Sequence, residues 1–305
     1  MHQIKISKAA LEAARKQFCL DTCLDWQEYL ENPDKKCYIQ KTVYAPSEQK
    51  DGRQPSAGRY SAFQGARKYD GNDAFLKAIL CMGQLFLAVD EQIYDWAVEK
   101  FADCEPEWFC EYGNLRMIDK KLQEYGRRIA DTHIYFLPEE GCRQQKRASD
   151  FEATDMSENN GSRKVQDGRC DGAQRLYAWY EYEQLPAFRE NNPFKRALGF
   201  SPTQPDRIAV AALKKTGNPL KPENIAGMAG VSEDGAYLWQ IGIDVIREYE
   251  GRGLATDLVT KLKEEVLRRG KIPFYGTSES HTVSQTVALK AGFVPAWTEI
   301  YVKQG

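Results

Sequence analysis

Residues 237–276 read YLWQIGIDVIREYEGRGLATDLVTKLKEEVLRRGKIPFYG, and the order of signals in this stretch decides the fold. Positions 237–245 carry the apolar and β-branched residues of a strand. A turn containing Gly251 and Gly253 follows, and a helix is expected to begin at about Gly253. Leu254, Leu258, Leu262 and Val266 recur every four residues, with Ala255 and Val259 beside them. Gly270 closes this helix behind Arg268 and Arg269, whose charges suit its negative end. Positions 272–275 then predict a second strand. The glycines let the backbone come close to a ligand, and the first helical turn offers N–H groups with no partner inside the helix. Such a turn is an anion site suited to a phosphate diester, or equally a plain structural turn. A dinucleotide fingerprint is excluded because Thr256 stands where its third glycine or alanine belongs. A P-loop is excluded because no Gly-Lys-Ser/Thr is present.

Outward from this unit, strands are expected at 207–213 and 225–231, separated by turn residues such as Thr216-Gly217-Asn218-Pro219, so that an antiparallel meander leads into 237–245. A short helix and a last strand at 299–302 follow. The first half of the chain reads as mixed α and β. A helix over 7–30 aligns Leu11, Phe18, Cys19, Cys23, Trp26 and Leu30 until Asn32-Pro33 stops it. A strand at 84–89 is followed by a helix with Ile93, Trp96, Ala97 and Phe101 on one face. A helix over 115–125 ends at Gly126, and a strand is expected at 133–137. Residues 143–172 hold six apolar side chains in thirty, too few to offset ordering entropy. They read as a polar mobile linker between a domain at 1–142 and another at 173–305, or as a long surface loop within one domain.

The bulk properties narrow the classes. The chain has 305 residues, 42% apolar and 28% charged, with a formal net charge of -2. That balance offers no electrostatic case for nucleic acid or an anionic membrane as partner. No run approaches ~20 apolar residues, and the first residues contain no uninterrupted apolar stretch, so a cytoplasmic protein is expected. The eight cysteines and three histidines (His2, His133, His281) form no C-x-x-C pair. The thiols read as reduced, buried apolar groups, and no metal is expected.

The turn Glu250-Gly251-Arg252-Gly253-Leu254-Ala255 resembles the signature of the GNAT superfamily of N-acyltransferases, Q/R-x-x-G-x-G/A, with Gly253 and Ala255 at its two small positions. Glu250 departs from it, standing where glutamine or arginine is usual. The run SESHTVSQTVALKAGF, ending in Gly292-Phe293, is similar to the family's second cofactor-contacting segment, with His281 in place of an asparagine and Ser284 one turn on. Ala288 replaces a tyrosine that protonates the leaving thiolate in relatives. The resemblance covers about a third of the chain. It implies an α/β (α+β) fold: a largely antiparallel sheet with splayed central strands and flanking helices. KLQEYGRRIADTHIYF faintly echoes EEVLRRGKIPFYG, so the N-terminal half reads as a worn copy of the same fold.

The resemblance further implies acetyl-coenzyme A as acyl donor. Its pyrophosphate would lie on Glu250 to Thr256, and its pantetheine arm would run along Ile243, Asp244 and Val245 between strands 237–245 and 272–275. His281 and Ser284 would meet it again. The acceptor would be a small-molecule or peptide amine. A lysine-like amine must first lose a proton, which costs about 4 to 5 kcal/mol at neutral pH, so a base is expected. Asp244 leads the candidates, although an aspartate there equally suits a hydrogen bond to a neighbouring loop, with Tyr275, Glu279 and His281 behind it. The alternative to an acetyltransferase is a non-catalytic acyl-coenzyme A sensor or interaction module. The acceptor's identity and the oligomeric state are not legible.

Overall fold

The computed structural model describes residues 5–44, 61–69, 71, 73–140, 163–170, 173–214 and 218–305, with 163–170 and 173–175 described as backbone. The elements run α1 (Lys8–Asp21), α2 (Trp26–Glu31), β1 (Cys37–Lys41), β2 (Leu76–Cys81), β3 (Gln84–Val89), α3 (Tyr94–Phe101), α4 (Tyr112–Gln123) and β4 (Arg127–Pro138). They continue as β5 (Arg163–Cys170), β6 (Ala173–Glu181), β7 (Asp206–Leu213), β8 (Ile225–Glu233), β9 (Leu238–Val245), α5 (Leu254–Arg268), β10 (Ile272–Ser278), α6 (Thr282–Lys290) and β11 (Phe293–Gln304). Among the described residues the strands form one sheet in the order β1-β3-β2-β11-β4-β10-β9-β8-β7-β6-β5. Only β1–β3 and β9–β10 are parallel. The expected α+β class and the meander through β7, β8 and β9 are present.

Three local expectations need correction. The helix over 7–30 is two helices, because Cys23 takes a left-handed backbone (φ 57°). Asp25 then starts α2 afresh, its carboxylate accepting from the Gln27 and Glu28 amides. The last strand is twelve residues long rather than four, since β11 pairs along most of its length with β4. Of the expected linker, 143–162 and 171–172 lie outside the described residues, as do Thr216 and Gly217, while 163–170 forms edge strand β5 paired with β6. Backbone pairing places even this polar segment in the sheet.

The two halves expected from composition share this sheet: β4 of the first half lies between β10 and β11 of the second. Strand alternation sorts the side chains into layers. Trp239, Ile241, Tyr275 and Phe136 pack with Leu258, Leu262 and Val266 of α5 on one face. Leu238, Phe274 and Tyr135 pack with Ala14 and Phe18 of α1 on the other. Two buried polar ties secure these layers. Lys263 of α5 donates to the Ala291 carbonyl at 2.6 Å, fixing the end of α6. Beneath α1, Arg67 is held by Asp21 at 2.6 Å and also donates to Glu299 of β11.

Candidate functional site

β9 and β10 pair in register only from Leu238/Ile272 to Ile241/Tyr275. Beyond that point β10 continues against β4, while β9 stays on β8. Among the described residues, the edge of β9 from Gly242 to Val245 that faces away from β8 therefore has no strand partner. A gap opens in the middle of the sheet, and a cavity of about 1120 Å³ occupies it, a volume just above the usual small-molecule range.

One end of the cavity is built by the turn and helix expected from sequence. Gly251 and Gly253 both adopt left-handed backbones (φ 70° and 73°), which only glycine takes without strain. The first helical bond of α5 is Asp257 N–H to the Gly253 carbonyl at 3.1 Å. The N–H groups of Leu254, Ala255 and Thr256 thus precede any intrahelical partner and stand at the positive end of the dipole. Glu250, Gly251, Gly253, Leu254, Ala255 and Thr256 line the cavity, as do Ile243 and Val245 of β9. A Cβ at Gly253 would meet no protein atom within 4 Å, so the space over the turn is open. Glu250 is exposed, so solvent screens its charge from an anion on the turn. Arg252 does not line the cavity; its guanidinium lies 5.6 Å from the Tyr249 ring.

The second expected segment arrives from α6. His281 caps the helix and lies with Ser284 on the cavity wall. Tyr275, at the point where the strands part, hydrogen-bonds Ser284 through its hydroxyl at 2.8 Å. Burial, countered in part by that hydrogen bond, pushes the Tyr275 phenol above its ordinary range. It therefore stays protonated at neutral pH, which suits a proton donor better than a base. Ala288 is wholly buried in the core under α5.

The remaining candidates stand elsewhere. Asp244 does not line the cavity: one carboxylate oxygen accepts the backbone N–H groups of Arg196 at 2.7 Å and Ala197 at 3.0 Å. It anchors a loop that lies on Gly230 and Gly242, where any Cβ would strike the Ala197 and Arg196 carbonyls. Burial raises its pKa, and the two amides oppose that rise. Glu279 is exposed beyond the wall, accepting from the Thr132 hydroxyl at 3.0 Å. Both carboxylates lie where strand alternation or helix entry points them away from the gap.

Sequence reading missed the other end of the cavity. Tyr69, Asp131, His133, Tyr135 and Tyr301 form its wall on the α1 face, with Gln240 beside them. Four of these five wall residues belong to the first half of the chain, and no local motif joins them. Among the described residues there is no cluster of three or more metal-ligating side chains, and no helix is long and apolar enough to cross a membrane.

Residues 173–293 match the acetyltransferase (GNAT) family. No curated protein matches the chain. Among solved structures, the chain is similar to a GNAT-family protein from Novosphingobium aromaticivorans, with 16% identity over 59% of this chain and 68% of that one, at a TM-score of 0.35. It is similar to a GCN5-related N-acetyltransferase from Sphaerobacter thermophilus, with 10% identity over 99% and 95% of the two chains, at a TM-score of 0.35. A Salmonella typhimurium protein solved with its cofactor acetyl-coenzyme A shares 16% identity over 40% of this chain and 72% of that one, at a TM-score of 0.26.

Proposed function

We propose that this chain, which carries a GNAT acetyltransferase domain at residues 173–293, transfers an acetyl group from acetyl-coenzyme A to a primary amine by direct attack in a ternary complex. The observation that carries the reading is the cavity itself. It joins the free N–H groups at the start of α5 to the Tyr275 hydroxyl through the gap between β9 and β10.

The residues fit the donor. The turn from Glu250 to Thr256 holds a pyrophosphate on backbone N–H groups, and the free edge of β9 pairs with an extended amide-bearing arm as an added strand would. His281 and Ser284 close over that arm. When bound, the donor supplies a thioester carbonyl open to nucleophilic attack. A backbone N–H on the β9 edge stabilises negative charge developing on its oxygen. Tyr275, kept protonated by burial, donates a proton to the departing sulfur, the role left vacant by Ala288.

The second reading, a non-catalytic acyl-coenzyme A sensor, is favoured by Ala288 and by Glu250. Calorimetric titration with coenzyme A, together with thiol release from acetyl-coenzyme A over a panel of amines, separates the two. Micromolar binding with amine-dependent thiol release is expected. Binding without release across the panel would leave the sensor reading standing.

A further inference from the structure

The cavity passes through the sheet, and the far side is chemically unlike the near side. On β4, alternation sends Asp131, His133 and Tyr135 toward the α1 face, opposite to α5 and α6. The His133 ring packs edge-on against Tyr301 at 5.1 Å and lies 6.2 Å from Tyr135. Those two tyrosines hydrogen-bond each other through their hydroxyls, and Tyr69 packs edge-on against Tyr301 at 5.5 Å. The imidazole is therefore held in place by rings rather than left free. Its Nδ1 is buried with no hydrogen-bond partner among the described residues. Nε2 is the nitrogen that can meet a substrate, and it stands 3.8 Å from the half-exposed carboxylate of Asp131. The groups facing His133 from neighbouring strands are Ser278 on β10 and Glu299 on β11, its Cα partners, besides Tyr135 and Tyr301. None of β4 lies within the family match at 173–293.

We propose that the acceptor is a primary amine on an apolar stem, that it enters from the α1 face against these rings, and that His133 is the base that deprotonates it. The inference rests on the acetyl-transfer reading above. Aromatic faces attract an ammonium group, and the Asp131 carboxylate at the rim adds to that attraction. One ammonium N–H bond breaks, its electron pair stays on nitrogen, and the proton passes to Nε2. Nitrogen then bonds the acyl carbon, and the carbon–sulfur bond breaks with its pair on sulfur. Sulfur takes the Tyr275 proton, and the phenol is restored by the second proton lost from nitrogen. The proton on His133 leaves to solvent. The products are the amide, the free thiol and one proton.

The test is His133→Gln, which keeps a polar side chain of similar reach but removes the base. Phenethylamine, cationic at neutral pH, and methoxyamine, already neutral there, serve as acceptors. With phenethylamine a loss of at least ~100-fold in kcat/KM is expected, and with methoxyamine a loss below ~5-fold, because general base catalysis is needed only for the first. Phenethylamine binding measured by calorimetry in the presence of coenzyme A, and coenzyme A binding itself, stay within ~3-fold of wild type, since neither depends on the base. Asp131→Asn, at the rim, loses about 5-fold or less with phenethylamine, as suits a partly exposed charge pair. Equal losses on both amines, or none, overturn the assignment of His133 while leaving acetyl transfer intact. No turnover of any amine by the wild-type chain overturns the acetyl-transfer reading and this inference with it.

Discussion

The hydroxyls of Tyr275 and Ser284 lie 2.8 Å apart, joining the last residue of β10 paired with β9 to the first turn of α6 at the point where the sheet opens. Tyr275 is 3% exposed, so its phenol meets the cavity and little bulk solvent. A buried phenol fixed by one hydrogen bond is placed to give a proton at a defined position. Tyr275→Phe keeps the ring and removes the donor. Thiol release should fall about 100-fold or more in kcat, with coenzyme A affinity changed by less than ~3-fold. An unchanged kcat would assign the proton to another group.

Gly253→Val should weaken coenzyme A binding at least ~10-fold, because a branched Cβ enters the open space above the turn and a left-handed backbone costs about 1 to 2 kcal/mol outside glycine. Gly270 supplies the control: it has nearly the same backbone (φ 75°) at the other end of α5, away from the cavity. Gly270→Val should lose comparable stability by thermal unfolding yet bind coenzyme A as wild type does. Equal affinities for the two variants would remove the pyrophosphate from this turn.

Asp244→Ala should act on the fold before the chemistry. Two backbone amides, those of exposed Arg196 and buried Ala197, lose their acceptor, at a cost of about 1 to 3 kcal/mol. Urea unfolding should report that loss, while kcat at a temperature well below the melting point should fall by less than ~10-fold. A loss of ~100-fold or more without destabilisation would instead mark Asp244 as a base.

Asp234 gives a stability signature in pH. It is 4% exposed, accepts from Ser232 at 2.6 Å and from Gln204 at 3.1 Å, and burial pushes its pKa up to about 7. In the folded chain it stays protonated over a range where the unfolded chain has already released the proton, from roughly pH 4 to pH 7. The folded state binds more protons there, so its stability falls as pH rises through that window. Burial raises Asp206 and Asp244 in the same sense. Asp234→Asn should flatten the decline in melting temperature between pH 5 and pH 7.5. A slope identical to wild type would show that the carboxyl is ionised when buried.

How much was legible depended on how local the signal was. β3, α5 and the meander into β9 could be read because period and turn chemistry act within a dozen residues. β1, β2 and β6 were not read: β1 (CYIQK) and β2 (LKAILC) are short, and neither shows a clean alternation of buried and exposed positions. The turn that lines one end of the cavity was legible almost whole, since backbone N–H groups and glycine φ angles follow from sequence order. Asp244 was read equally as a base and as an acceptor for a neighbouring loop, because a strand position does not reveal what lies across from it, here the amides of Arg196 and Ala197.

The sequence alone determined the turn from Glu250 to Ala255, the helix behind it and the strand before it, because propensity, periodicity and capping are set by neighbours along the chain. The tertiary structure decided the rest of the site. Inserting β4 between β10 and β11 brings His133 against Tyr301 and opens the gap beside Tyr275. Those contacts span more than a hundred residues, and only packing and backbone pairing across the whole sheet can select them.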